Sequence, residues 1–337
     1  MTNTYEHSGP LPAALRLGNL RIAGPFFQGA LSGYTDRAMR TIAREHGASL
    51  TFAGLMLDKV TLHPPALEKG LFRLGEDEHP VGGQLLGSDP EMMAAAAGTL
   101  VEMGFDLVDL NFACPAPKII RKARGGYLLN NPERVIAIFR RVRQAVACPV
   151  TLKLRIGVSD TAADREAFWQ VCRSAAAEGI DGLLIHGRTV EQNYRGRAEW
   201  ETVSQVKREF PGVAVMGSGD IDSAETACRR LGEHRLDGIS VARAAIGNPW
   251  IFQELRARQA GTAEPPGPDL GEQGAVMLRH FAMMRELYPP YKAVINFRKI
   301  SIRYAKRHPQ RRLVHTALLK AGTPEEVVAA VKNWYPV

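Results

Sequence analysis

Over roughly the first 260 residues, short runs of aliphatic and β-branched residues alternate with longer stretches whose apolar positions recur at helical spacing. The first pattern is that of strands and the second that of amphipathic helices. The runs Arg21–Gln28, Leu50–Leu55, Val81–Leu86, Leu107–Asn111, Val150–Leu154, Gly182–His186, Val213–Gly217 and Gly238–Val241 read as eight strands. Between them, Asp36–His46, Pro90–Met103, Pro132–Ala147, Ala163–Glu178, Trp200–Phe210, Ser223–Leu231 and Pro249–Ala257 read as helices. Several open with Asp-Pro, Asn-Pro or Asp-Ser, where a short polar side chain caps free N–H groups and proline presets the first turn. The span Lys59–Leu71 contains Pro64 and Pro65 and predicts a broken helix or loop.

Strands that alternate with helices pair in parallel. Eight such units in about 250 residues fit a closed (β/α)₈ TIM barrel. An open doubly wound sheet would carry a glycine-rich fingerprint after its first strand, and Gly29–Gly33 has no GxGxxG. After Ala257 the rhythm stops. Gly261–Pro268 reads GTAEPPGP, a linker, and then come four helical stretches: Gln273–Tyr288, Val294–Arg307, Gln310–Lys320 and Pro324–Trp334. The expected organisation is a barrel over residues 1–259, a linker over 260–268 and a small helical domain over 269–337.

Charge sharpens this division. The chain carries a formal net +8, but the last 70 residues hold twelve basic and five acidic side chains. A nearly neutral barrel with a +7 helical tail points to an anionic partner gripped mainly at one end. With 45% hydrophobic and 23% charged residues the composition is that of a globular protein. No apolar run reaches the ~18 residues of a transmembrane helix, and Met1–Pro10 lacks the pattern of a signal peptide. Four cysteines without a CxxC fit a reducing compartment and exclude a zinc ribbon. The expectation is a cytoplasmic monomer with no membrane and no metal.

A barrel presents its reactive groups at the C-terminal ends of its strands. Those ends carry Gln84, Asn111 with Cys114 beyond it, Lys153 with Arg155, His186 with Arg188, Ser218 with Asp220, and Arg243. A free cysteine is most often a small buried hydrophobe. Cys114 differs: it leaves a strand end, precedes Pro115 and is followed by Lys118, Arg121, Lys122 and Arg124, which no core segment would tolerate. Cys148, Cys172 and Cys228 fit the core reading. Lys153 interrupts an apolar strand, and a desolvated lysine needs an anionic partner. The last two strands end in Gly217-Ser218-Gly219-Asp220 and Ala242-Arg243-Ala244, at the loops that form the usual barrel phosphate site. A phosphorylated cofactor such as FMN fits there.

Asp109-Leu-Asn-Phe-Ala-Cys-Pro-Ala-Pro-Lys118, with Arg124-Gly-Gly126 and Leu128-Leu129 after it, resembles the catalytic signature of the tRNA-dihydrouridine synthases. Gly33-Tyr-Thr-Asp36, Gln84-Leu85, Val150-Thr-Leu-Lys-Leu-Arg155, Ile185-His-Gly-Arg-Thr189, Gly219-Asp-Ile221 and Ile246-Gly-Asn-Pro-Trp-Ile-Phe252 extend the resemblance along the chain in the family's order. It implies an FMN enzyme that saturates the C5–C6 bond of uridine in tRNA, with NADPH as reductant, hydride delivered to C6 and Cys114 as proton donor to C5. A thiol with its ordinary pKa of about 8.5 keeps its proton at neutral pH, so the acid role is sensible provided the loop cations face RNA phosphates. By the same resemblance Gln84, Lys153, His186, Gly219 and Arg243 hold the FMN, with Ser218, Asp220 and Ala242 beside them. Asn111 and Arg188 orient the uridine. Lys118 and Arg121 beside the thiol, and Arg298, Lys299 and Arg303 in the tail, grip the RNA.

The chain departs from the family pattern in places. Gly29-Ala30-Leu31 stands where Ala-Pro-Met is usual, Gly54-Leu55 replaces Glu-Met, Ser218 replaces an asparagine, and Ala242 a glycine. None touches Cys114, Lys153 or His186. The alternatives are a flavin oxidoreductase of a small molecule, for which the basic tail has no use, and a non-catalytic RNA-binding paralogue, which has no need of the Cys-Lys-His set.

Overall fold

The computed structural model describes residues 11–67 and 72–337. Met1–Pro10, and with it the signal-peptide reading, lies outside the described residues, as does the end of the Lys59–Leu71 span.

Two short strands, β1 (Leu15–Leu17) and β2 (Leu20–Ile22), form an antiparallel hairpin. The barrel follows: β3 (Phe26–Gln28), β4 (Thr51–Phe52), β5 (Met56–Leu57), β6 (Val81–Leu86), β7 (Leu107–Phe112), β8 (Val150–Arg155), β9 (Gly182–His186), β10 (Ala214–Ser218) and β11 (Gly238–Val241). All its pairings are parallel, and because β4 pairs with both β3 and β6 while β11 pairs with β3, the sheet closes on itself. β4 and β5 share one position, so the barrel has eight, as the alternating pattern predicts.

Two predicted strands differ in detail. Arg21–Gln28 is divided between hairpin and barrel, because Pro25 has no N–H for a ladder and Gly24 precedes it. Leu50–Leu55 is interrupted because the Gly54 N–H leaves the ladder and donates to the Thr35 carbonyl. Lys59–Leu71 holds two single-turn helices, α2 (Asp58–Thr61) and α3 (Pro64–Leu67), divided ahead of the prolines.

The outer helices are α1 (Arg37–Glu45), α4 (Pro90–Glu102), α6 (Pro132–Ala145), α7 (Ala162–Ala177), α8 (Trp200–Glu209), α9 (Ala224–Glu233) and α10 (Ile251–Ala260), with the single turn α5 (Pro117–Ile120) after β7. Asp36, Asp89, Asn131, Thr161 and Ser223 cap their helices by accepting a backbone N–H. Inside the barrel, Phe27, Phe52, Leu107, Leu184 and Met216 form an apolar plug, closed below by Leu15, Leu17 and Ile22 of the hairpin. Each such buried side chain contributes roughly 1.5–3 kcal/mol. The plug fills the lower barrel, so polar residues at the upper strand ends stand on a rigid floor.

The tail is four helices: α11 (Leu270–Leu287), α12 (Pro290–Tyr304), α13 (Arg311–Lys320) and α14 (Pro324–Trp334). α12 starts four residues earlier than the apolar pattern predicts, because Pro290 occupies its first turn, where proline is favourable. Phe281 and Phe297 meet at 4.9 Å in the middle of the bundle. The bundle joins the same apolar core as the outer barrel helices. Polar contacts lock it there: Trp250 Nε1 donates to Glu272 at 2.6 Å, Arg307 donates to Asn248, Arg279 pairs with Glu45, and the Tyr288 hydroxyl donates to buried Asp36.

Candidate active site

Above the apolar plug, the inward positions of successive strands become polar. Register places Gln84 opposite Asp109, Asp109 opposite Thr151, Asn111 opposite Lys153, and Arg155 opposite His186. A hydrogen-bonded chain runs upward through the first of these. Thr151 Oγ1 donates to Asp109 Oδ1 at 2.6 Å and Gln84 Nε2 donates to Asp109 Oδ2 at 2.7 Å. Asn111 Nδ2 donates to Gln84 Oε1 at 2.8 Å, and Asn111 Oδ1 accepts the Ala113 and Cys114 N–H groups at 2.9 Å each. A carboxyl group buried in the barrel thus fixes both amides and, through them, the backbone that carries Cys114. Burial pushes the Asp109 carboxyl pKa up, against the donors that lower it.

Cys114 lies half-buried at the mouth of a cleft with about 190 Å³ of interior space. Its carbonyl accepts the Gly126 N–H at 3.1 Å. Gly125 has φ of 60°, and a Cβ there would sit 3.0 Å from the Cys114 Cβ and carbonyl, so only glycine fits the clasp. Of the four loop cations, Lys118, Arg121 and Lys122 are exposed. Arg124 turns inward, its guanidinium 3.5 Å from the fully buried carboxylate of Asp58.

Cations gather along the neighbouring strands, Lys153 and Arg155 on β8 next to the strand that carries Cys114, and Arg243 after β11. Lys153 reaches the cleft with no hydrogen bond among the described residues; desolvation, against the opposing field of Asp109, lowers its pKa to about 8. Arg155 donates to the carbonyls of Ala113, Thr189 and Asn193, and burial lowers its pKa to about 10. Arg243 lies at the surface over the Tyr194 ring, 4.9 Å from its centre. His186 sits among them. Desolvation first, then Lys153, Arg155, Arg188 and Arg243, push its pKa down to about 2, so the imidazole is neutral. Its Nδ1 is buried without a partner. A cluster of cations around an orphaned imidazole nitrogen calls for an anionic ligand.

The structure brings Gln84, Asn111, Cys114, Lys153, His186, Ser218, Gly219, Asp220, Ala242 and Arg243 to this one cleft. Arg188 it does not. That side chain is 2% exposed; its Nε donates to the Arg195 carbonyl and its Nη2 to the Gly196 carbonyl and both Asp220 oxygens, while Nη1 is buried with no hydrogen-bond partner among the described residues. Burial raises the Asp220 pKa, but the Arg188 and Ala198 donors prevail and hold it below the usual range. In the tail, Lys299 and Arg303 are exposed, whereas Arg298 is half-buried and donates to the Ala321 carbonyl at the end of α13. Sequence reasoning missed Asp109, Tyr194 and Ser240. The alternation of β7 carries the signal for Asp109, two residues before Asn111 on the same face; Tyr194 lies in a loop without periodicity.

Fold and cleft together define a TIM-barrel protein whose upper strand ends bring several cations and a half-buried thiol into one cleft. The chain matches the family described as Dihydrouridine synthase (Dus) over residues 30–334, and it belongs to that family. Among its relatives, tRNA-dihydrouridine synthase B of Xanthomonas campestris pv. campestris is 32% identical over 327 residues, covering 95% of this chain and 96% of that one. A probable tRNA-dihydrouridine synthase of Mycobacterium tuberculosis is 31% identical, covering 94% and 84%. Solved structures share the fold at low identity. Histamine dehydrogenase from Rhizobium sp. 4-9 has a TM-score of 0.56 at 16% identity, covering 82% of this chain and 51% of that one. A morphinone reductase mutant in complex with tetrahydroNAD has a TM-score of 0.55 at 16% identity, covering 76% and 92%. No helix among the described residues is long and apolar enough to cross a membrane, and no group of potential metal ligands is found among them.

Proposed function

We propose that the protein reduces the C5–C6 double bond of uridine in tRNA, with FMN in the cleft and NADPH as the source of electrons. The observation that carries this reading is the shared cleft: Cys114 lines the same space as Lys153, Arg243 and the unpartnered Nδ1 of His186. The residues fit an anionic flavin. Arg243, Gly219, Ser218 and Ala242, at the ends of the last two strands, would hold its phosphate, with the Asp220 carboxylate beside them turned to Arg188, and neutral His186 would offer a hydrogen bond. Lys153 and Gln84 face the ring system, where the free ammonium offsets negative charge. FMN, when bound, supplies the hydride to C6 of the uracil.

Reduction leaves negative charge developing at C5, and the Cys114 thiol donates its proton there. Asn111 sets the approach by holding the Cys114 N–H, and the Gly125–Gly126 clasp holds the carbonyl. The target base must leave the RNA stack to reach this depth, and exposed Lys118 and Arg121 meet the flanking phosphates as it enters. Lys118, Arg121 and Lys122 point to solvent and Arg124 to Asp58, so the loop's own charge is directed away from the thiol, while Arg155, whose charge does act on the thiol, is bonded to the Ala113, Thr189 and Asn193 carbonyls. Lys299 and Arg303, both exposed on α12, hold the body of the tRNA. The test is purified protein with FMN, NADPH and unmodified tRNA. Formation of dihydrouridine that depends on Cys114 supports the reading; free uridine reduced as fast as tRNA would favour a small-molecule reductase instead.

A further inference from the structure

Ser240 is the inward residue of β11, 4% exposed, and it lines the cleft. Its hydroxyl has no hydrogen-bond partner among the described residues and is free to bond to whatever occupies the cleft. Across from it, the first residue after β3 is Gly29. A Cβ at position 29 would lie 2.3 Å from Ser240 Oγ, far inside contact distance, and 3.7 Å from the Ala242 Cβ, which is ordinary contact. The hydroxyl therefore occupies the volume that any side chain at position 29 would fill.

We propose that Ser240 is a cofactor-binding residue, its hydroxyl exchanging a hydrogen bond with a polar atom of the bound FMN, and that Gly29 is there to give the hydroxyl room. This rests on the reading that the cleft holds FMN. Two facts argue for it over a passive serine: the hydroxyl opens on the cavity that the cations line, and the facing backbone carries the one residue that leaves it unobstructed.

The test is FMN affinity, read by quenching of flavin fluorescence on titration of flavin-free protein, with melting of the flavin-free form as the control for folding. Ser240→Ala is expected to weaken binding about three- to ten-fold, the loss of one neutral hydrogen bond. Gly29→Ala weakens it further, because the methyl group drives the hydroxyl from its position. The double variant Gly29→Ala/Ser240→Ala returns to the affinity of Ser240→Ala alone, since the clash is gone. Parental affinity in Ser240→Ala overturns the assignment. So does a double variant as weak as Gly29→Ala, which means the methyl obstructs the flavin directly. A parent protein that binds no FMN removes the reading of the cleft itself, an outcome distinct from a yellow parent indifferent to Ser240.

Discussion

Replacing Asp58 by alanine tests how the thiol-bearing loop is held. The Asp58 carboxylate is fully buried, accepts the Lys59 N–H at 2.7 Å, and lies 3.5 Å from the guanidinium of Arg124, whose side chain is 14% exposed. Arg124 leads directly into the Gly125–Gly126 clasp on Cys114. Removing one member of a buried pair costs about 3–5 kcal/mol, because the other is left as an uncompensated charge. Residual exposure lets Arg124 recover some hydration, so about 2–3 kcal/mol is expected here. In a chain of 337 residues that is a melting point lower by roughly 3–4 °C. Calorimetry of the flavin-free protein reads the stability. Alkylation by iodoacetamide, followed on the Cys114 peptide by mass spectrometry, reads the loop and should accelerate as the clasp loosens. The double variant Asp58→Leu/Arg124→Leu should regain most of the stability, since an apolar pair carries no desolvation cost. A single variant within about 0.5 kcal/mol of the parent, with unchanged alkylation, would refute the account of this pair.

Lys153 gives a pH dependence. Its folded pKa of about 8 lies below the ordinary 10.5, so between those values the unfolded chain binds more protons and stability rises with pH. Urea unfolding of the flavin-free protein should show this gain, and Lys153→Met should flatten it while weakening FMN binding; a pH slope unchanged in the variant counts against the assignment. Gly125→Ala forces a methyl group against Cys114 at positive φ. It should cost about 1–2 kcal/mol and slow tRNA reduction more than it weakens tRNA binding, and equal effects on both would place the glycine outside the chemistry. Removing residues 269–337 uncovers the barrel faces that α11 and α12 bury and breaks the Trp250–Glu272 bond. A truncated barrel that melts like the full chain would show the helices to be an independent appendage.

The barrel was legible because its determinants are local and repeated: each strand is a short apolar run, and five of the outer helices have a capping side chain at their start. The interruptions were legible only in hindsight. Pro25 ends one ladder, but the departure of Gly54 depends on Thr35, a partner supplied by another loop. For the site, strand ends predict which residues meet at the cleft, since the barrel makes those ends converge. They do not predict what each side chain is already bonded to. Arg188 stands next to His186 in sequence, yet Asp220, 32 residues on, claims its guanidinium. Arg298 shares a basic segment with Lys299 and Arg303, but the end of α13 supplies a carbonyl that only the packed bundle brings near. Asp58 and Arg124 lie in different loops and nothing in their spacing joins them. The departure to glycine at position 29 is likewise opaque in sequence and acquires a reason from Ser240, 211 residues away on the adjoining strand.

The central claim is that Cys114 gives a proton to a uridine of tRNA in this cleft. Mapping dihydrouridine in RNA from cells that lack the protein, complemented with the parental or the Cys114→Ala chain, addresses it most directly. The account predicts that defined tRNA positions lose dihydrouridine, that the parental chain restores them, and that Cys114→Ala fails to do so while remaining folded and flavin-bound. No lost position, or full restoration by the alanine variant, would contradict it.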